Sequence, residues 1–90
     1  MNNPFPERED PEALRALLTE IADYHMPFGM FGPAKYPPKG LPLYDLPEEY
    51  LGWFKQRGFP KGKLGRYLEV LWELKSNGLD SLFSPFREAR

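Results

Sequence analysis

Apolar residues recur at steps of three and four in three places along this chain. Leu14, Leu17, Leu18 and Ile21 form the first stripe, which predicts an amphipathic helix over about residues 10–25. Asp10-Pro11 reads as its start, because a carboxylate can cap free amides and proline is tolerated at the first helical position. Tyr50, Leu51, Trp53 and Phe54 give the second apolar face. Asp45-Leu46-Pro47-Glu48 before it has capping-box spacing, and Gly58 after it is placed for a left-handed stop. The third stripe is the clearest: Leu64, Tyr67, Leu68, Leu71, Trp72 and Lys75 step along one side, Val70 and Leu74 widen it, and Gly78 ends it. The link from Gly58 to Gly62 is short, so the second and third helices are expected to be neighbours with Phe59 plugging the corner.

The stretch between the first two stripes cannot be helical for long. Pro27, Pro33, Pro37, Pro38 and Pro42 remove backbone donors and push their predecessors towards extended conformations, while Gly29, Gly32 and Gly40 supply turns. Phe28 to Phe31 and Leu41 to Tyr44 are expected to pair as a small ribbon around a loop at 32–40, with their aromatics packed on the helices. Leu79, Leu82 and Phe83 read as a short turn folding back on the core, stopped by Pro85. The predicted fold is therefore mainly α (α+β): a three-helix core with a small β-ribbon or extended Pro/Gly-rich loop packed against it. One globular domain is expected over 10–84, with a flexible arm at 1–9 and fraying at 85–90. Tyr67, Leu68, Leu71 and Trp72 are expected to meet Leu14, Leu17, Leu18, Ile21, Tyr50 and Phe54 in the core.

Composition narrows the chemistry. The 90 residues contain no cysteine, which excludes disulfides, thiolate metal sites and a cysteine nucleophile. The amino-terminal residues have neither the basic nor the apolar region of a signal peptide. No apolar run approaches the roughly 20 residues of a membrane span. A cytoplasmic protein without membrane attachment is the expectation. The net charge is −1, but its distribution is uneven. Residues 1–25 carry six acids against two bases, and residues 50–66 carry five bases and no acid. Local fields of this kind matter more for binding than the total.

No catalytic or metal-binding constellation is visible, so the chain is expected not to be an enzyme and to need no cofactor. His25, the only histidine, falls on the first stripe and reads as a packed residue of the last helical turn. Glu69 and Glu73 read as a solvated pair four apart. Gly29-Met30-Phe31-Gly32 is not a phosphate loop. Gly62-Lys63-Leu64-Gly65, opening a helix between lysines, is a candidate anion site. The best signal is the basic corner: Lys55 and Arg57 end one helix, and Lys61, Lys63 and Arg66 begin the next. Bases near a helix C-terminus merely complement its dipole, but bases at the following N-terminus are disfavoured unless an anion offsets them. With Lys35 and Lys39 on the loop, these residues are candidates for contact with nucleic acid or another polyanion. The alternative is a protein partner or homodimer that uses Phe28, Phe31, Tyr36 and Tyr44 as an exposed aromatic patch.

One combined motif adds a family resemblance. Met26-Pro27-Phe28-Gly29, Pro37-Pro38-Lys39-Gly40, Leu43-Tyr44-Asp45-Leu46-Pro47, Tyr50-Leu51, Trp53-Phe54, Gly58-Phe59-Pro60-Lys61-Gly62 and Leu64-Gly65 resemble the putative quorum-sensing-regulated virulence factor family. These are small bacterial domains of unknown biochemical function. Similar segments occur at the C-terminal end of exonuclease-X-like proteins, and that association implies a nucleic-acid context by analogy. Many members read MPFGKYKG, whereas Met30 here replaces the first lysine and the loop to Lys39-Gly40 is longer. The resemblance implies no catalytic residues.

Overall fold

The computed structural model describes residues 11–89. Among them are four α-helices: α1 (Pro11–Ala22), α2 (Glu48–Arg57), α3 (Gly62–Ser76) and α4 (Ser84–Glu88). Short 3-10 turns lie at Gly29–Phe31, Leu43–Asp45 and Asp80–Phe83. The mainly helical expectation holds, but no strand is present among the described residues, so the β-ribbon is not formed. No helix among them is long and apolar enough to cross a membrane. The amino-terminal arm and the cap at Asp10 lie outside the described residues.

α3 is the central element. It buries Tyr67, Leu68, Val70, Leu71 and Leu74, and α2 packs along it through Leu51 and Phe54. α1 contributes Leu17, Leu18 and Ile21. Trp72, expected in the core, is only partly buried and lies over Gly52 of α2. The turn Leu43–Asp45 touches both α1 and α3. Its Leu43 and Tyr44, with the following Leu46, are 0%, 2% and 0% exposed. A segment whose composition reads as loop thus supplies the middle of the core.

That segment pairs with a different partner from the one its apolar residues suggest. Met26 N–H donates to the Leu41 carbonyl at 2.8 Å, and Leu43 N–H donates to the Tyr24 carbonyl at 3.0 Å. A single antiparallel bridge joins His25 to Pro42. Pro42 has no N–H, so the ladder cannot propagate. Phe28 to Phe31 instead curl into a turn, and only the Phe31 carbonyl reaches across, accepting from Leu41 N–H at 2.9 Å. His25 consequently lies beyond α1 rather than in its last turn. The helix closes earlier, as Asp23 and Tyr24 donate back three residues to Glu20 and Ile21.

The expected capping box is also replaced. Pro47 occupies the N-cap of α2 with no side-chain cap, while the Asp45 carboxylate accepts from Arg87 Nε at 3.1 Å. Gly58 does end α2 at a positive φ of 106°, but its ψ of 134° makes an extended turn instead of a left-handed helical one. Of the residues expected to fray, 85–88 belong to α4, in which Pro85 falls in the first turn, where proline costs no hydrogen bond, and Arg90 lies outside the described residues. Arg87 anchors this helix. It donates to the Tyr44 carbonyl at 2.7 Å and to Asp80 at 3.1 Å, and its guanidinium lies 5.1 Å over the Tyr44 ring. Lys75 reaches the same two acceptors from α3. Leu79 and Leu82 stay exposed, and of that turn only Phe83 enters the core, stacked 5.5 Å from Tyr44.

Two tests follow from this packing. Gly40 has φ +100°, and a Cβ there would stand 2.0 Å from the Met26 carbonyl oxygen, at the base of the loop. Gly40→Ala is therefore expected to destabilise the domain by about 2–3 kcal/mol, read as a fall in melting temperature. An unchanged melting temperature refutes the closure described here. The second test uses Tyr67, whose O–H donates to Glu20 Oε1 at 2.6 Å. This hydrogen bond, with burial, pushes the phenol up to about 12 from its ordinary 10.0. A raised folded-state value means the stabilisation is complete below the unfolded value and is lost as pH rises through the folded one. Tyr67→Phe should thus be less stable at pH 7 by about 1–3 kcal/mol. The gap from wild type should narrow as pH rises from 10 towards about 12, and a gap independent of alkaline pH contradicts this assignment.

Candidate functional site

A run of touching aromatic rings crosses the molecule. Tyr36 leans on Phe31 at 5.8 Å, Phe31 meets Tyr50 edge-on at 4.8 Å, Tyr50 meets Phe54 at 5.2 Å, and Phe54 stacks on Phe59 at 6.4 Å. Trp53 branches outward, edge-on to Phe54 at 5.1 Å. Neighbours in α2 point about 100° apart, so Phe54 can face the core while Trp53 faces solvent. Alongside the rings, the Gly29–Phe31 turn and α2 enclose an open groove of about 740 Å³, lined by Phe28, Met30, Phe31, Tyr50, Trp53 and Phe54 together with Gly29, Pro47 and Glu49. Phe28, Met30 and Trp53 are 48%, 65% and 49% exposed around it. Glu49 and Tyr50 are its titratable residues, and burial raises the pKa of Tyr50 above its ordinary value.

The four aromatics named from sequence separate into three settings. Phe28 is exposed in the groove, while Phe31 is half-buried beneath it. Tyr36 is exposed on the loop. Tyr44 is buried between Phe83 and Arg87, so it is not available to a partner. Met30 and Trp53 were not among the expected site residues. The adjacency of Trp53 to Phe54 was the available signal for one. For the other, the signal was the departure of Met30 from the pattern that the resemblance implies.

The basic corner lies at the Phe59 end of the ring run. Lys55, Arg57, Lys61, Lys63 and Arg66 are all exposed, on the last turn of α2, the N-cap of α3 and its first residues. None of the five forms an ion pair among the described residues. The Arg57 guanidinium lies 4.9 Å over the Trp53 ring, so corner and groove share a wall. The corner is held tightly: a Cβ at Gly65 would stand 1.5 Å from the Pro60 carbonyl oxygen, and glycine alone permits that approach. Lys35 and Lys39 are exposed on the loop, at the opposite, Tyr36 end of the rings. Structure therefore gathers five of the seven candidate bases and leaves two apart. Glu69 and Glu73 are half-buried on α3, away from the groove lining. No group of three or more His, Cys, Asp or Glu residues is placed to hold a metal among the described residues.

The chain is 44% identical over 71 residues to "Uncharacterized protein YpeB" of Escherichia coli K12, an alignment covering 78% of this chain and 89% of that protein. The same figures hold for YpeB of Escherichia coli O157:H7. No solved structure gives a significant match. The matching family is described as "Putative quorum-sensing-regulated virulence factor", and the match spans residues 14–86, from the first buried turn of α1 to the ring of Phe86 in α4. The chain belongs to that family.

Proposed function

We propose that this domain is a non-enzymatic protein-binding module whose contact surface is the aromatic groove between the Gly29–Phe31 turn and α2. One observation carries the reading: Phe28, Met30 and Trp53 leave large apolar side chains exposed around a single carbon-lined concavity. Contiguous exposed apolar surface of this kind marks interaction sites, whereas scattered apolar residues do not. The fitting partner is a protein segment that offers one or two bulky apolar anchors. Its flanking charges would be basic opposite Glu48 and Glu49 and acidic opposite Lys55 and Arg57. A nucleic-acid strand suits the groove less well, because Glu49 in its lining repels phosphates. The family description, a regulated virulence factor, is compatible with a part played through a partner.

Selection of random 12-residue peptides on the immobilised domain tests this reading. Enriched peptides are expected to carry aromatic or aliphatic anchors. Their affinity should fall about tenfold or more for Met30→Glu and for Phe28→Ser, with melting temperatures close to wild type because both side chains are exposed. Peptides that bind the variants as well as wild type would exclude the groove.

A second reading rests on the five exposed bases of the corner, which form no ion pair among the described residues: contact with nucleic acid or another polyanion. Lys61 and Lys63 sit where the helix dipole disfavours them by a few tenths of a kcal/mol, about 0.3 or more each. Lys61→Glu with Lys63→Glu should keep or slightly raise the melting temperature. The same change should abolish any salt-dependent shift of single- or double-stranded DNA or RNA. A wild-type domain without affinity for these at low salt removes this reading.

A further inference from the structure

The charge order of α2 points to one particular occupant of its outer face. The helix opens with Glu48 and Glu49 and closes with Lys55 and Arg57, and its midpoint falls between Gly52 and Trp53. All four charged side chains are exposed, as is Trp53. Such a helix is complementary to itself turned end for end. A two-fold axis through the midpoint brings residue 48 of one copy level with 57 of the other, and residue 49 level with and facing 56. The acidic first turn of each copy then faces the basic last turn of the other, and the two helix dipoles run antiparallel. Trp53 stands exposed in the groove wall, so in such a pairing each Trp53 would lie beside the groove of the opposite copy. Apolar crest and apolar groove thus stand on one face, bordered by matching charges, and the anchor chemistry that the groove requires is present on this chain.

We infer that the groove's partner is a second copy of this chain, in a two-fold homodimer built on antiparallel α2 helices, with Trp53 of each protomer seated in the groove of its partner. This rests on the protein-binding reading of the groove and adds the partner and its orientation. The ring of Trp53 is held ready for that role by Phe54 on one side and Arg57 on the other. A bulky, pre-positioned aromatic near the centre of a patch, rimmed by charges, is the usual composition of an interface hot spot.

Sedimentation equilibrium supplies the first test. The wild-type chain should show a reversible monomer–dimer equilibrium, and Trp53→Ser should shift it to monomer with the fold retained. Orientation is tested by charge exchange. Glu48→Lys with Glu49→Lys, and separately Lys55→Glu with Arg57→Glu, should each weaken self-association by about tenfold or more, since like charges then face each other. Mixing the two variants should restore a dimer that contains one of each. The absence of native cysteine allows a second measurement that does not depend on charge. A short bis-maleimide should link Glu49→Cys chains to Gln56→Cys chains in a mixture, and should link neither variant to itself. A wild type that stays monomeric at millimolar concentration overturns the dimer, and peptide binding lost in Met30→Glu would still leave the groove as a site for another protein. A dimer whose charge-exchanged chains do not prefer each other, or whose cysteines link like to like, overturns the antiparallel arrangement alone.

Discussion

The structure depends on finding hydrogen-bond partners for a backbone that is short of donors. Between Met26 and Pro47 the prolines remove N–H groups and forbid a ladder of any length. The chain meets this constraint by pressing the segment against the exit of α1, where Tyr24 and Met26 exchange bonds with Leu41 and Leu43 on either side of the His25–Pro42 bridge. Once that contact exists, Met26, Leu43, Tyr44 and Leu46 are carried into the centre of the molecule. α1 and α3 then both pack on the 3-10 turn. The carboxyl terminus is fastened to the same turn, since Lys75 and Arg87 both donate to the Tyr44 carbonyl.

Core and candidate binding surface are parts of one object. Phe54 belongs to the core and Trp53 to the surface, yet their rings touch, and Phe31 and Tyr50 line the groove with faces whose backs are packed. Exposed rings held in this way lose little conformational freedom when a partner arrives, so more of the burial energy appears as affinity. The basic corner has the same property. Its backbone is locked by the approach of Pro60 to Gly65, while its charges remain in solvent.

Much of the helical frame was legible in the sequence because periodicity reports burial directly. Leu17, Leu18, Ile21, Tyr67, Leu68 and Leu71 stand where their spacing placed them. Most of the expectations that failed share a cause, since they concerned a short motif with more than one use. Asp45 has the position of a cap but answers to Arg87, a residue 42 positions away. Phe28 to Phe31 have the apolar character of a strand, but Gly29 turns the chain there with φ +76°. Leu79, Leu82 and Phe83 look alike, and only the ring of Phe83 meets the Tyr44 face. Of the candidate site, the corner was legible because its charges are contiguous along the chain. The groove was not, because Phe28 and Met30 meet Trp53 only through the loop closure.

That closure separates two kinds of position in the loop. At its base, Gly32 and Gly40 are buried and bonded, and the Leu41 amide and carbonyl are both engaged. At its tip, residues 33–39 are all exposed. Lengthening a loop whose ends are already pinned raises the entropy of closure only slowly, by about 0.6 kcal/mol per doubling. The tip is therefore a place where the family can add or remove residues without moving the groove wall, and where a sequence can acquire local charge, as with Lys35 and Lys39, independently of the fold that carries it.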